Sequence, residues 1–241
     1  MAKAHRKPQP RVINPLYPLD LVYRRAGIDP PKIKIVQPSD IPLPYQSLLV
    51  HDTDMTLTLE RHFGGQVTLR PLSTFTSGLS YFRRVLLVQE YAGQPVEMGA
   101  IRIKLSAFSD TLKRKILRNE IPLGRILRDG RFNYSSRVKA YLEVTPNSEM
   151  MGVFWMREPR VLYGRRTEVI RNGSKIGDIV EVLPLVIRYK LIGCLWNTNT
   201  IVSSSVADQP VRLPRLFSPN TDAGQLSSNG NYSPAITSAN H

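Results

Sequence analysis

Hydrophobic positions along the chain switch between two periods. Met55, Leu59 and His62/Phe63 recur at helical spacing, with Asp52 or Thr53 placed to cap the start and Gly64-Gly65 to end the run. Residues 66–72 then read as a strand. Residues 79–90 (LSYFRRVLLVQE) form a longer one. A turn at Ala92-Gly93-Gln94-Pro95 leads into a return strand over 96–105, with Ile101, Ile103 and Leu105 on one face. Phe108, Leu112 and Ile116 restore a spacing of four, and Ser109 sits at the N-cap position. Pro122 suits the first turn of a second short helix starting in the 121–125 segment. From 137 to 144 the period returns to two. Val138, Ala140, Leu142 and Val144 point one way and Arg137, Lys139, Tyr141 and Glu143 the other, the pattern of an antiparallel strand with one wet face. Residues 161–171 and 174–190 read as two strands joined at Asn172-Gly173, where a type I′ turn needs positive φ twice. The order is helix, strands, helix pair, strands, without βαβ alternation. It predicts an α+β fold with a largely antiparallel β-sheet.

The flanks differ. Residues 1–45 are rich in proline, including Pro30-Pro31, and read as an extended, irregular arm. After Asn197, serine, asparagine, threonine and proline dominate, and from residue 205 the chain lacks the apolar surface to offset its ordering entropy. The expected organisation is an arm over 1–45, a folded domain over 46–196 and a polar, disordered tail over 197–241.

With 241 residues and 41% hydrophobic content, the chain can build a real core. Its net charge of +14 favours anionic partners. The charge is spread along the chain, however, and the densest cluster, Lys113-Arg114-Lys115 with Arg118, falls on an expected helix, where a solvated face is an equal reading. No aromatic-basic motif or recognition helix is visible, so no nucleic-acid partner is expected. No apolar run is long enough for a membrane span; the stretch 179–187 is short and broken by Glu181 and Pro184. The basic N-terminus leads into no apolar segment, unlike a secretory signal. Cys194 is the lone cysteine, which fits a reducing cytoplasm. There is no phosphate-binding Gly-rich loop, no dinucleotide fingerprint and no Gly-x-Ser-x-Gly elbow. His5, His51, His62 and His241 lack metal-ligand spacing. No metal and no cofactor is expected.

Four segments carry more information together than singly. They are residues 48–56 (LLVHDTDMT), residues 81–87 (YFRRVLL) with Gly93-Gln94-Pro95, residues 121–127 (IPLGRIL), and Tyr163-Gly164-Arg165-Arg166-Thr167 followed by Asn172-Gly173-Ser174-Lys175 and residues 178–184 (DIVEVLP). In this order they resemble the chorismate pyruvate-lyase family over residues 46–190. That resemblance implies a sheet with a few helices covering an internal ligand pocket. It also implies cofactor-free cleavage of chorismate to 4-hydroxybenzoate and pyruvate, and a monomer.

The resemblance assigns roles residue by residue. Arg83 falls on the arginine that grips a carboxylate, a task for which the planar guanidinium offers two parallel donors. Arg84 points to the opposite strand face, and a register slip of one would exchange the two. Leu123 falls on the leucine whose backbone N–H is a further donor. Glu181 falls on the carboxyl that meets the ring-hydroxyl end of the ligand. Its apolar neighbours on both sides also predict a dehydrated, proton-holding group, unless it pairs with Arg165 or Arg166. Met55 matches a ligand-contacting methionine, although the acidic stretch before it is one residue longer than the family pattern. Arg83 and Glu181 are thus the expected catalytic pair, and Met55 and Leu123 complete the expected substrate contacts. A non-catalytic module binding an aromatic carboxylate is the alternative.

Overall fold

The computed structural model describes residues 14–184. Seven antiparallel strands form one sheet in the spatial order β1-β5-β6-β7-β4-β3-β2. They are β1 (Lys32–Val36), β2 (Val67–Ser77), β3 (Ser80–Gln89), β4 (Pro95–Lys104), β5 (Ser135–Thr145), β6 (Leu162–Arg171) and β7 (Ser174–Leu183). Six α-helices accompany them: α1 (Leu19–Arg25), α2 (Tyr45–Leu49), α3 (Met55–Phe63), α4 (Asp110–Arg118), α5 (Leu123–Asp129) and α6 (Ser148–Val153). The α+β class and the antiparallel sheet read from the periodicity are those of the molecule.

Local signals explain most boundaries. The Asn172-Gly173 turn has φ of 48° and 72°, as the tight hairpin between β6 and β7 requires. Ser109 caps α4 through its side chain, and Gly64 closes α3 in the left-handed region. The cap of α3 is Asp54 rather than Asp52 or Thr53; its carboxylate accepts the Thr56 N–H, so the helix starts at Met55 itself.

The expected irregular arm over 1–45 does not hold for residues 14–45. These contain α1, and β1, which pairs with β5 from Lys32↔Thr145 to Val36↔Tyr141. The prolines punctuate elements instead of preventing them. Pro18 stands at the N-cap of α1, Pro44 at that of α2, and Pro30-Pro31 lie just ahead of β1. The expected tail over 197–241 lies outside the described residues.

Period-two alternation in the central strands gives the sheet two buried faces. On the back, Leu86, Met98, Leu142, Val144, Val180 and Val182 pack with Leu19 and Tyr23 of α1 and Met150 of α6. The front is covered in two parts. One apolar cluster joins Val85, Leu87 and Leu69 to α2 and α3; the other joins Ile101, Ile103 and Val169 to α4 and α5. The gap between these two front clusters is where the site forms.

Candidate functional site

Strand register dictates what faces the gap. Arg83 pairs with Ile101, Val85 with Gly99 and Leu87 with Glu97 across β3 and β4. Gly99 then pairs with Glu181 on β7, and Glu181 with Arg165 on β6. Because side chains in directly paired positions share a face, Arg83, Glu97, Glu181 and Arg165 all project to the front. They line one cavity, walled by Met55 at the start of α3, Leu123 at the start of α5, and Tyr134. The space around them, counted out through its open mouth, is ≈ 680 Å³. The four residues expected to form a site, Met55, Arg83, Leu123 and Glu181, therefore border the same space.

Arg83 and Arg84 part ways at the sheet. Arg84 faces the back, bonds Glu149 at 2.5 Å and lies 4.9 Å from the Tyr23 ring centroid. Arg83 is 2% exposed and has no carboxylate partner among the described residues. Its terminal nitrogens donate to Asn119 Oδ1 (3.1 Å) and to the Ile121 carbonyl (3.4 Å), and Nε has no partner among the described residues. Burial pulls its pKa down to about 10, which leaves the guanidinium charged at neutral pH. A buried cation answered only by neutral oxygens carries a desolvation cost that no counter-charge among the described residues offsets.

Glu181 is not the unpaired carboxyl that its apolar neighbours suggested. Arg165 Nε donates to it at 2.6 Å, with both side chains buried. The remaining guanidinium donors hold the segment across the cavity rim. Nη1 reaches the carbonyls of Leu49 (3.0 Å) and His51 (2.8 Å), and Nη2 that of Thr53 (3.5 Å). His51 is pulled down by burial and then by the Arg165 charge, so it stays neutral.

The carboxyl without a partner is Glu97, which sequence reasoning passed over. Oε2 is buried and unbonded among the described residues. Burial raises its pKa well above the usual value; the nearby Glu181 carboxylate adds to this and Arg165 partly offsets it. The signal was present in the strand: in residues 97–103, Glu97 is the one acidic side chain on the face carrying Gly99, Ile101 and Ile103.

Helix α5 is fastened to α3 by charge. Arg125 pairs with Glu60, and Arg128 with Asp54 at 2.7 Å. Gly124 lets the helices close, since a Cβ there would stand 2.0 Å from Asp54 Oδ1. This clamp fixes Met55 and Leu123 on adjoining walls.

No protein-family model matches the chain, and no curated protein matches it. Among solved structures it is similar to the effector domain of PhnF from Mycobacterium smegmatis, at 12% identity and TM-score 0.40, over 56% of this chain and 91% of that one. It is also similar to the C-terminal domain of the histidine utilization repressor from Pseudomonas syringae pv. tomato, at 6% identity and TM-score 0.35, over 59% and 100%. A third is a GntR-family transcriptional regulator from Bacillus cereus, at 9% identity and TM-score 0.32, over 73% and 100%. At these identities and scores the likeness identifies neither a family nor a ligand. Among the described residues, no helix is long and apolar enough to cross a membrane.

Proposed function

We propose that this domain binds a small aromatic monocarboxylate, with the carboxylate on Arg83. The observation that carries the reading is the buried Arg83 guanidinium facing a cavity with, among the described residues, an unsatisfied Nε and no acidic partner. A charge count around the cavity sets the ligand's charge. Arg165 and Glu181 cancel, as do Arg128 and Asp54. Burial and the nearby Glu181 carboxylate favour the neutral form of Glu97. One positive charge is left over, at Arg83, and it suits a monoanion. The test is calorimetric titration with 4-hydroxybenzoate against its neutral amide, 4-hydroxybenzamide. The acid should bind about ten-fold or more tightly, the worth of one charge-assisted contact. Equal binding of the two defeats the reading.

A second reading is chorismate lyase activity, favoured by the meeting of Arg83 and Glu181, the pair named by the sequence resemblance, at one cavity. Loss of the enolpyruvyl ether group together with the ring C4 hydrogen, which ends up on the departing pyruvate, aromatises the ring, so the protein needs only to hold the substrate in a reactive pose and exclude water. Arg83 would grip the ring carboxylate, Glu181 would meet the far end, and Met55 and Leu123 would pack the ring. Chorismate is a dianion, however, and its second carboxylate has no free cation among the groups counted above. Incubation with chorismate should yield 4-hydroxybenzoate and pyruvate if the lyase reading holds. Absence of product at high protein concentration removes it and leaves the binding reading intact.

A further inference from the structure

We infer that Glu97 is a neutral hydrogen-bond donor in the cavity and selects ligands that carry an uncharged oxygen, a hydroxyl or carbonyl, at the end away from Arg83. This deepens the carboxylate-binding reading and rests on it.

Geometry supplies the argument. Glu97 faces the front of the sheet opposite Leu87, two positions from Gly99 on the same strand. Its carboxyl leans along the strand towards Arg83, because Oε1 lies 2.8 Å from where a Cβ on Gly99 would stand. Gly99 leaves the floor bare beneath it, so the carboxyl borders open space. The charged groups facing Glu97 are Glu181 from β7, Arg165 from β6 and Asp54 from the start of α3. Two of these are acidic. The cation, Arg165, already donates to Glu181 and to three backbone carbonyls. No described donor bonds Glu97 Oε2, so an ionised Glu97 would be a second, unpaired carboxylate beside Glu181, which low-dielectric surroundings disfavour. The protonated group carries one O–H to donate.

Calorimetry on the full chain with 4-hydroxybenzoate, benzoate and 4-hydroxybenzamide separates the two ends. The wild type should bind 4-hydroxybenzoate about ten-fold more tightly than benzoate, as expected for a buried hydroxyl that finds its partner. Glu97→Leu should bring the two acids to near-equal affinity. Glu97→Gln, which keeps a neutral donor, should retain most of the preference. A preference that survives Glu97→Leu overturns the inference. If the amide binds as well as the acid but Glu97→Leu still removes the hydroxyl preference, the Arg83 reading fails and the Glu97 assignment stands. If neither acid binds, the Arg83 reading fails and the amide decides: binding lost in Glu97→Leu supports the assignment, and no effect or no binding overturns it. Should Glu97→Leu fail to fold, the infrared difference spectrum of wild type minus Glu97→Gln serves instead. A protonated-carboxyl band that moves with 4-hydroxybenzoate and not with benzoate supports the inference; an absent or unmoved band overturns it.

Discussion

Arg83 and Arg84 are neighbours in sequence, and both are almost fully buried, yet they meet opposite environments. Replacing Arg83 with leucine should weaken carboxylate binding by about ten- to a hundred-fold, the worth of one or two charge-assisted hydrogen bonds. It should cost little stability, because the side chain answers no acid in the free protein. Arg84→Leu should do the reverse. Binding stays within a few-fold, while thermal unfolding shifts down by the several degrees that about 1–3 kcal/mol produces, since Glu149 is left beside an apolar side chain. Differential scanning calorimetry beside titration separates the two arginines. Glu97 yields a pH prediction. It takes up a proton on folding, so its contribution is fully present below the ordinary carboxyl value of 4.5 and is lost as pH rises towards its elevated folded value. Glu97→Gln abolishes that loss. The stability of the variant relative to wild type should climb between acid and neutral pH, by at most about 1.4 kcal/mol per pH unit, in urea denaturation. A flat difference would mean that Glu97 is ionised. At this scale the sequence was half legible. Strand alternation says that Arg83 and Arg84 face opposite ways, and the family resemblance picks Arg83 as the one facing the cavity. The roles of Glu181 and Glu97 could not, because both are single acids in apolar strands. What tells them apart is a contact between β6 and β7, where Arg165 reaches Glu181.

Elements were easier to read than their joints. The helix and strand periods placed β3, β4, α4 and β6 close to their observed bounds, since each carries its own turn or cap signal; β7 ends at Leu183, and the rest of the strand expected to 190 lies outside the described residues from residue 185 on. The first strand escaped notice although Lys32-Ile33-Lys34-Ile35 alternates, because so short a run between prolines reads as part of the proline-rich segment around it; its pairing with β5 makes it a strand. The junction of α3 and α5 was equally silent, depending as it does on Arg125 and Arg128 meeting acids more than sixty residues earlier. That junction is testable at Gly124. A methyl group there would displace the Asp54 carboxylate, disturbing both the α3 cap and the Arg128 pair. Gly124→Ala should cost about 1–2 kcal/mol, the value of a lost N-cap, despite alanine's better helix propensity. An unchanged or higher melting temperature would show that the close approach is not tight in solution.

For the whole molecule, the back of the sheet is sealed and the front is divided. Helix α1 closes the back and β1 covers the β5 edge, so the segment 14–36 belongs to the core and is not an appendage. Its removal should uncover Leu142, Val144 and Met98. The expected product is an aggregating or molten protein that binds a hydrophobic dye and loses near-ultraviolet circular dichroism. A cooperative, soluble product would contradict this. Arg165 has a different kind of consequence. The same guanidinium neutralises an acid on the sheet and pins three carbonyls of the 49–53 segment, so charge at the bottom of the hollow governs how firmly its brim is held. Glu181→Gln should therefore quicken amide hydrogen exchange in that segment, far more than in β6 or β7. A small molecule that pulls the Arg165 guanidinium away from its carbonyls would then unlatch its own way out, tying residence time to the chemistry of what is bound.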